Sequence, residues 1–187
     1  MSVEDKIRWD DKYKNSLLPQ SIIKVVDDYA KEAKGNHALD IACGMGRNAK
    51  LLAERGFEVH ALDIAEMAIE SLQGIKNIRA EVVDFDTYVL KENAYDLIVC
   101  TYFLERKLFP QIEAALKDDG IFIFETFIHD EMNEKVPSNK AFLLDKGELE
   151  ATFSEAYELI HLESFVAEGM CGDKNMRASM VARKSLK

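Results

Sequence analysis

Cysteine, proline, basic residues and long apolar runs are all scarce in this chain, and each scarcity excludes something. The three cysteines, Cys43, Cys100 and Cys171, lie far apart in sequence. That removes a Cys-x-x-Cys motif and argues against a disulfide framework. The three prolines, Pro19, Pro110 and Pro137, are equally dispersed, and no low-complexity stretch or long linker divides the chain. No apolar run approaches the roughly 18 residues of a membrane span. The opening MSVEDKIRWD lacks the apolar segment of a secretory signal. Lys and Arg number 24 against 34 Asp and Glu, a formal charge of −10. Proteins that grip phosphate backbones usually carry a basic face, so this balance argues against a nucleic-acid partner. What is present suffices for a core: 48% of the 187 residues are hydrophobic. The expectation is a single cytoplasmic domain over residues 1–187.

The apolar pattern then sets the order of elements. Residues 17–34 place Ile22, Val25, Val26 and Tyr29 at helical spacing until Gly35 stops them. A strand HALDIA runs into CGMGRN, and GRNAKLLAER at 46–55 suits a helix ended by Gly56. FEVHALD at 57–63 alternates as a strand, EMAIESLQ at 66–73 is helical, IRAEVVD at 78–84 and YDLIVCTYF at 95–103 are strands. LFPQIEAALK reads as a helix stopped by Asp118-Asp119-Gly120, before a strand IFIFETF at 121–127. Residues 145–153 suit a helix, and AYELIHLESF and MRASMVARK suit two last strands paired antiparallel. This alternation predicts an α/β fold: a Rossmann-like doubly wound sheet of about seven strands, mostly parallel with an antiparallel C-terminal strand. In such sheets ligands bind at the carboxyl ends of the strands, where the strand order reverses. The Gly-rich loop after the first strand falls there.

That loop reads Leu39-Asp40-Ile41-Ala42-Cys43-Gly44-Met45-Gly46-Arg47-Asn48-Ala49. Gly44 and Gly46 permit a sharp turn and a close approach by a ligand, and the following helix start offers free N–H groups. Asp63 ends the second strand, at the spacing where an acid meets ribose hydroxyls. Asp84 ends the third, where a carboxylate can accept from an adenine amino group. Gly44, Gly46 and Ala49 also satisfy the G-x-G-x-x-A of a dinucleotide loop, which is the competing reading. Asp40, four residues before the first glycine, repels a pyrophosphate and favours the ammonium of an amino acid. The ligand that combines ribose, adenine and an amino-acid ammonium is S-adenosylmethionine.

The segments LDIACGMGRN, VHALD, VVDFD, YDLIVCTYF and LKDDGIFIFETF resemble, in order and spacing, the successive motifs of class I S-adenosylmethionine-dependent methyltransferases over about residues 35–127. Gly-Met-Gly-Arg-Asn, AFLLDKGELEATF at 141–153 and the closing RASMVARK resemble more narrowly the small tellurite-resistance-type methyltransferases. Asp118-Asp119-Gly120 departs from the Pro-Gly-Gly usual there, away from the expected donor site. The resemblance implies that Asp40, Ala42, Gly44, Gly46 and Asn48 surround the methionine part of the donor. Asp63 would hold the ribose hydroxyls, with Ile64 and Met67 flanking the adenine, and Asp84 and Phe85 its edge. Thr101 and Tyr102 would floor the site beneath the sulfonium. It divides the chain into an N-terminal lid or helix segment at 1–34, a donor-binding core at 35–127, and a substrate-side loop, helix and strand pair at 128–187.

The acceptor is expected to be a small molecule, a thiol or chalcogen compound among the candidates. An Asn/Asp-Pro-Pro-aromatic stretch for nucleic-acid amino groups is missing, since that position reads Cys100-Thr101-Tyr102-Phe103. A soft thiolate or chalcogen nucleophile needs no general base, whereas an oxygen or nitrogen acceptor usually does. Glu105, Glu125 and His129, at or beyond strand ends, are the weak candidates for that role. Trp9 and Tyr13, one helical turn apart, either pack the N-terminal segment or close over the donor. Cys43 reads as a small packing residue, and no His, Cys and Asp cluster has metal-ligand spacing. The reading from another class is a non-catalytic binder of S-adenosylmethionine or S-adenosylhomocysteine, acting as a sensor or partner subunit.

Overall fold

The computed structural model describes residues 3–15, 21–169 and 172–185. Cys171 and residues 17–20 of the expected first helix lie outside them. The elements run α1 (Val3–Asn15), α2 (Lys24–Tyr29, continued as one 3-10 turn), β1 (His37–Ile41), α3 (Arg47–Glu54), β2 (Glu58–Asp63), α4 (Glu66–Glu70), β3 (Ile78–Val82) and β4 (Tyr95–Thr101). Then follow α5 (Phe109–Ala115), β5 (Leu116–Phe127), α6 (Glu148–Phe153), β6 (Tyr157–Glu168) and β7 (Lys174–Lys184).

The seven strands form one sheet in the order β3-β2-β1-β4-β5-β7-β6. All neighbours are parallel except at β7, which runs against both β5 and β6. The doubly wound reading, with its antiparallel C-terminal strand, is thus the observed architecture. β1 and β4 read as continuous apolar runs because helices cover both faces of the centre. Alternate residues feed opposite layers. Ile98, Phe122 and Phe124 pack with Leu108, Ile112 and Phe153 of the α5 and α6 side. Leu97, Val99, Ile121 and Ile123 pack with Val26 of α2 and Leu52 of α3.

Two local expectations are corrected. The first stretch is helical only from Lys24, and a separate helix α1 precedes it. α1 is polar almost all round, so periodicity did not reveal it. Asp118-Asp119-Gly120 does not separate helix from strand. α5 ends at Ala115, and β5 begins at Leu116 with a shift in register on β4, Asp119 taking φ +62°. The bulge absorbs the turn-forming residues inside the strand. No helix joins β3 to β4: residues 83–94 cross as turns, with Val83, Phe85 and Leu90 tucked into the core.

Candidate active site

β1 pairs with β2 on one side and β4 on the other, so the order reverses between β1 and β4 and a crevice opens at their carboxyl ends. The chain leaves β1 through three left-handed residues, Ala42 at φ +53°, Gly44 at φ +54° and Gly46 at φ +77°. A Cβ on Gly46 would stand 2.3 Å from Leu72 Cδ2, so glycine lets α3 start tight against the neighbouring layer. The Gly44 N–H donates to Asp63 Oδ2 at 2.8 Å and the Ala65 N–H to Oδ1 at 2.9 Å. These bonds clamp the ends of β1 and β2 together. Burial raises the Asp63 carboxyl above the usual range, against the pull of these N–H groups.

Two buried side chains in the loop carry acceptor oxygens that no well-formed hydrogen bond reaches. Asp40, 1% exposed, makes no well-formed hydrogen bond through either carboxylate oxygen. Burial pushes its carboxyl up to about 7, although Arg47, the Ala49 N–H and the Asn48 side chain pull the other way. Asn48 donates through Nδ2 to Thr101 Oγ1 at 3.0 Å, while its Oδ1 is unpaired. A buried acceptor left alone costs about 1–3 kcal/mol, more if charged. Such groups fit a ligand that brings N–H donors and positive charge.

α1 lies over this loop. Its Tyr13 hydroxyl stands 2.8 Å from where a Gly44 Cβ would be, and Trp9 stacks on Tyr13 at 5.7 Å between centroids. The Met67 N–H of α4 donates to Asp10 Oδ1 at 3.0 Å, and Lys6 pairs with Glu66 at 2.7 Å. The helix is therefore pinned to the segment that follows Asp63.

Beyond the loop the crevice widens into a cavity of about 1400 Å³. Its floor is Tyr102, left-handed at φ +58°. The Tyr102 hydroxyl donates to Glu125 Oε1 at 2.8 Å and accepts from Arg177 Nη1 at 2.5 Å. Arg177 Nε donates to the buried Asn175 Oδ1 at 2.7 Å. The Arg47 and Arg177 guanidiniums stand 4.8 and 5.0 Å from the centre of the Tyr102 ring. Burial raises the Glu125 carboxyl, which Tyr102 and Arg177 oppose. On the far wall His161 Nε2 lies 3.0 Å from Ser179 Oγ and Nδ1 3.4 Å from the Tyr29 hydroxyl.

The family described as tellurite resistance protein TehB matches residues 1–177. The chain belongs to the TehB family. A probable S-adenosyl-L-methionine-dependent methyltransferase TehB from Haemophilus influenzae is 31% identical over 115 residues, covering 57% of this chain and 38% of that protein. A ubiquinone biosynthesis O-methyltransferase from Coxiella burnetii is 30% identical over 103 residues, 50% of this chain and 44% of its own length. These matches span less than half of the curated relatives. The crystal structure of TehB from Haemophilus influenzae superposes with a TM-score of 0.77 at 25% identity, covering 95% of this chain and 67% of that one.

Within this TehB-family chain, Ala42, Gly44, Asp63, Ile64, Thr101, Tyr102, Glu105 and Glu125 all line the cavity. Asp40 and Asn48 are buried, and Gly46 packs on Leu72. The remaining expected residues are placed elsewhere. Phe85 is a core side chain beside Phe103 at 5.4 Å. Met67 is 37% exposed, and Asp84 Oδ1 accepts the Asp86 N–H at 2.9 Å. His129 is exposed, its N–H donating to the Leu144 carbonyl. Sequence reasoning assigned nothing to Arg47 or Arg177. Arg47 sits inside the Gly-rich motif, so its place was readable there; Arg177 comes from a strand 75 residues beyond Tyr102 and opens the RASMVARK segment, which carried the resemblance without a role for this residue.

Proposed function

We propose that this chain is an S-adenosylmethionine-dependent methyltransferase acting on a small-molecule acceptor. The observation that carries the reading is the pair of buried side chains, Asp40 and Asn48, whose acceptor oxygens no well-formed hydrogen bond reaches, behind the glycine loop at the β1/β4 reversal. The amino-acid end of the donor would meet Asp40 and the loop, and its ribose would meet Asp63. When bound, the donor supplies a methyl group activated by sulfonium charge. The chain's part is alignment and exclusion of water, which can lower a barrier by about 7–11 kcal/mol. α1 would close the donor side through Tyr13. The cavity floored by Tyr102 would hold the acceptor, and its volume exceeds the roughly 300–1,000 Å³ of a single-ligand pocket.

A thiol or chalcogen acceptor would react as its anion without a base. For an oxygen acceptor, Glu125 with Tyr102 is the proton-accepting pair that the geometry favours over Glu105, which faces Lys107 at 3.8 Å on the rim. The relative named as an O-methyltransferase supports keeping oxygen acceptors in view. The test is calorimetric titration with S-adenosylmethionine, S-adenosylhomocysteine and NADH, followed by a screen of thiols, phenols and chalcogen oxyanions for S-adenosylhomocysteine release. Binding of the adenosyl ligands with turnover supports the proposal. Binding without turnover across the panel assigns the chain to sensing, and NADH binding alone overturns the donor site.

A further inference from the structure

Arg47 is a cation whose one direct contact is the face of the Tyr102 ring, 4.8 Å away. It is half-buried on the cavity wall, yet among the described residues it donates no hydrogen bond and joins no ion pair. The carboxylates nearest in influence are Asp40 and Glu125, and both are otherwise assigned. Glu125 accepts from Tyr102 and stands 3.9 Å from Arg177. Asp40, in the reading above, balances the donor's ammonium. Arg177 sits over the same Tyr102 ring as Arg47, and its Nη2 has no partner among the described residues. At the Tyr102 floor two guanidiniums stand against one hydrogen-bonded carboxylate, Glu125, while Asp63, Glu105, Glu163 and Glu168 line the same cavity. Gathering like charge in a part-buried place is unfavourable unless an anion joins it.

The rest of the lining is mixed, with an apolar part beside polar residues such as Lys135, Ser138 and Asn139. Phe127, Phe165, Val136, Pro137 and Phe142 line the cavity, and Phe142 is 42% exposed to it and to solvent. An inorganic oxyanion would satisfy the guanidiniums but leave this surface and most of the 1400 Å³ wet. Resting on the methyltransferase reading of this cavity, we infer that the acceptor is an organic acid: a carboxylate seated on Arg47 and Arg177, with an aromatic or apolar body against Phe127, Phe142 and Phe165. A planar carboxylate matches the guanidinium fork, which a neutral amide of the same shape does not.

The test is calorimetry with 3-mercaptobenzoate, 3-mercaptobenzamide and acetate on protein saturated with S-adenosylhomocysteine. The benzoate is expected to bind at least tenfold more tightly than the amide, and acetate at least a hundredfold more weakly than the benzoate. In Arg47→Met and Arg177→Met the benzoate's advantage over the amide should shrink to within about threefold. Equal affinity of benzoate and amide in the unaltered protein overturns the inference while the donor site stands, and needs no variant to fold. So does an advantage that survives in both variants, or acetate binding as tightly as the benzoate, which would make the site one for small anions. If S-adenosylhomocysteine itself fails to bind, the methyltransferase reading falls and this inference with it.

Discussion

Asp40 concentrates the chemistry of the donor loop in one side chain. Its carboxyl is raised by burial from 3.8 to about 7, so between those values the folded state holds a proton that the unfolded chain has released. Stability from this group is therefore full below pH 4 and is lost as pH rises through about 7, a change of about 4 kcal/mol at most. Asp40→Asn should raise the melting temperature of the ligand-free protein at pH 8 and have little effect at pH 4. The same substitution should weaken S-adenosylhomocysteine binding at least tenfold, because the ligand's ammonium loses its counter-charge. For the unaltered protein, calorimetry should show that affinity climbing from pH 6 to pH 8 as Asp40 ionises. A flat profile would detach Asp40 from the ligand. Asp63→Ala should also weaken donor binding, by a charge-assisted hydrogen bond or roughly 1.5–3 kcal/mol, and should loosen the Gly44 and Ala65 N–H groups it now holds. Donor affinity unchanged in a folded Asp63→Ala protein would remove the ribose from that place.

At the scale of elements, α1 is the piece whose position depends on few contacts. Its polar sequence gives it little apolar surface to bury, and it is held by Asp10 on the Met67 N–H, Lys6 on Glu66, and Tyr13 above Gly44. Elements with few buried apolar contacts open at low free energy. Tyr13→Ala is expected to weaken S-adenosylhomocysteine binding about three- to tenfold, mainly through a faster off-rate measured by stopped flow. Gly44→Ala should go further, since the added methyl collides with the Tyr13 hydroxyl and the backbone already sits at φ +54°. If Tyr13→Ala leaves the off-rate unaltered, α1 packs the molecule without guarding the donor. This helix also marks where the sequence was least legible. The buried strands announced themselves through Val, Ile, Leu and Phe runs, but a helix of charged residues has no period to read. The turn signal Asp118-Asp119-Gly120 was sound as local chemistry, and β5 overrode it by pairing through a bulge.

At the scale of the molecule, the doubly wound, mostly parallel sheet with its antiparallel C-terminal strand was readable because alternation, not any one residue, carries it. The glycine loop was readable for a related reason: its residues are contiguous and their spacing is set by one turn. The floor of the cavity was half readable. Tyr102 and Glu125 end two neighbouring strands, whereas Arg177 arrives on the one strand that runs backwards. His129, just after β5, is exposed, and the backbone of residues 127–129 pairs with Leu144.

That reversed strand has a consequence for ancestry and for engineering. The residues read here as meeting the donor come from β1 and β2 and the loops that leave them. Arg177, Asn175 and Ser179 reach the cavity from β7, and His161 and Phe165 from β6, at the far end of the sheet. Only β4 and β5 touch both worlds. Mutation in the β6–β7 hairpin is expected to rewrite what enters the cavity without disturbing the glycine turn proposed to cradle the donor. An exchange of residues 157–184 between members of this family should move acceptor preference with the transplanted hairpin and leave donor preference behind.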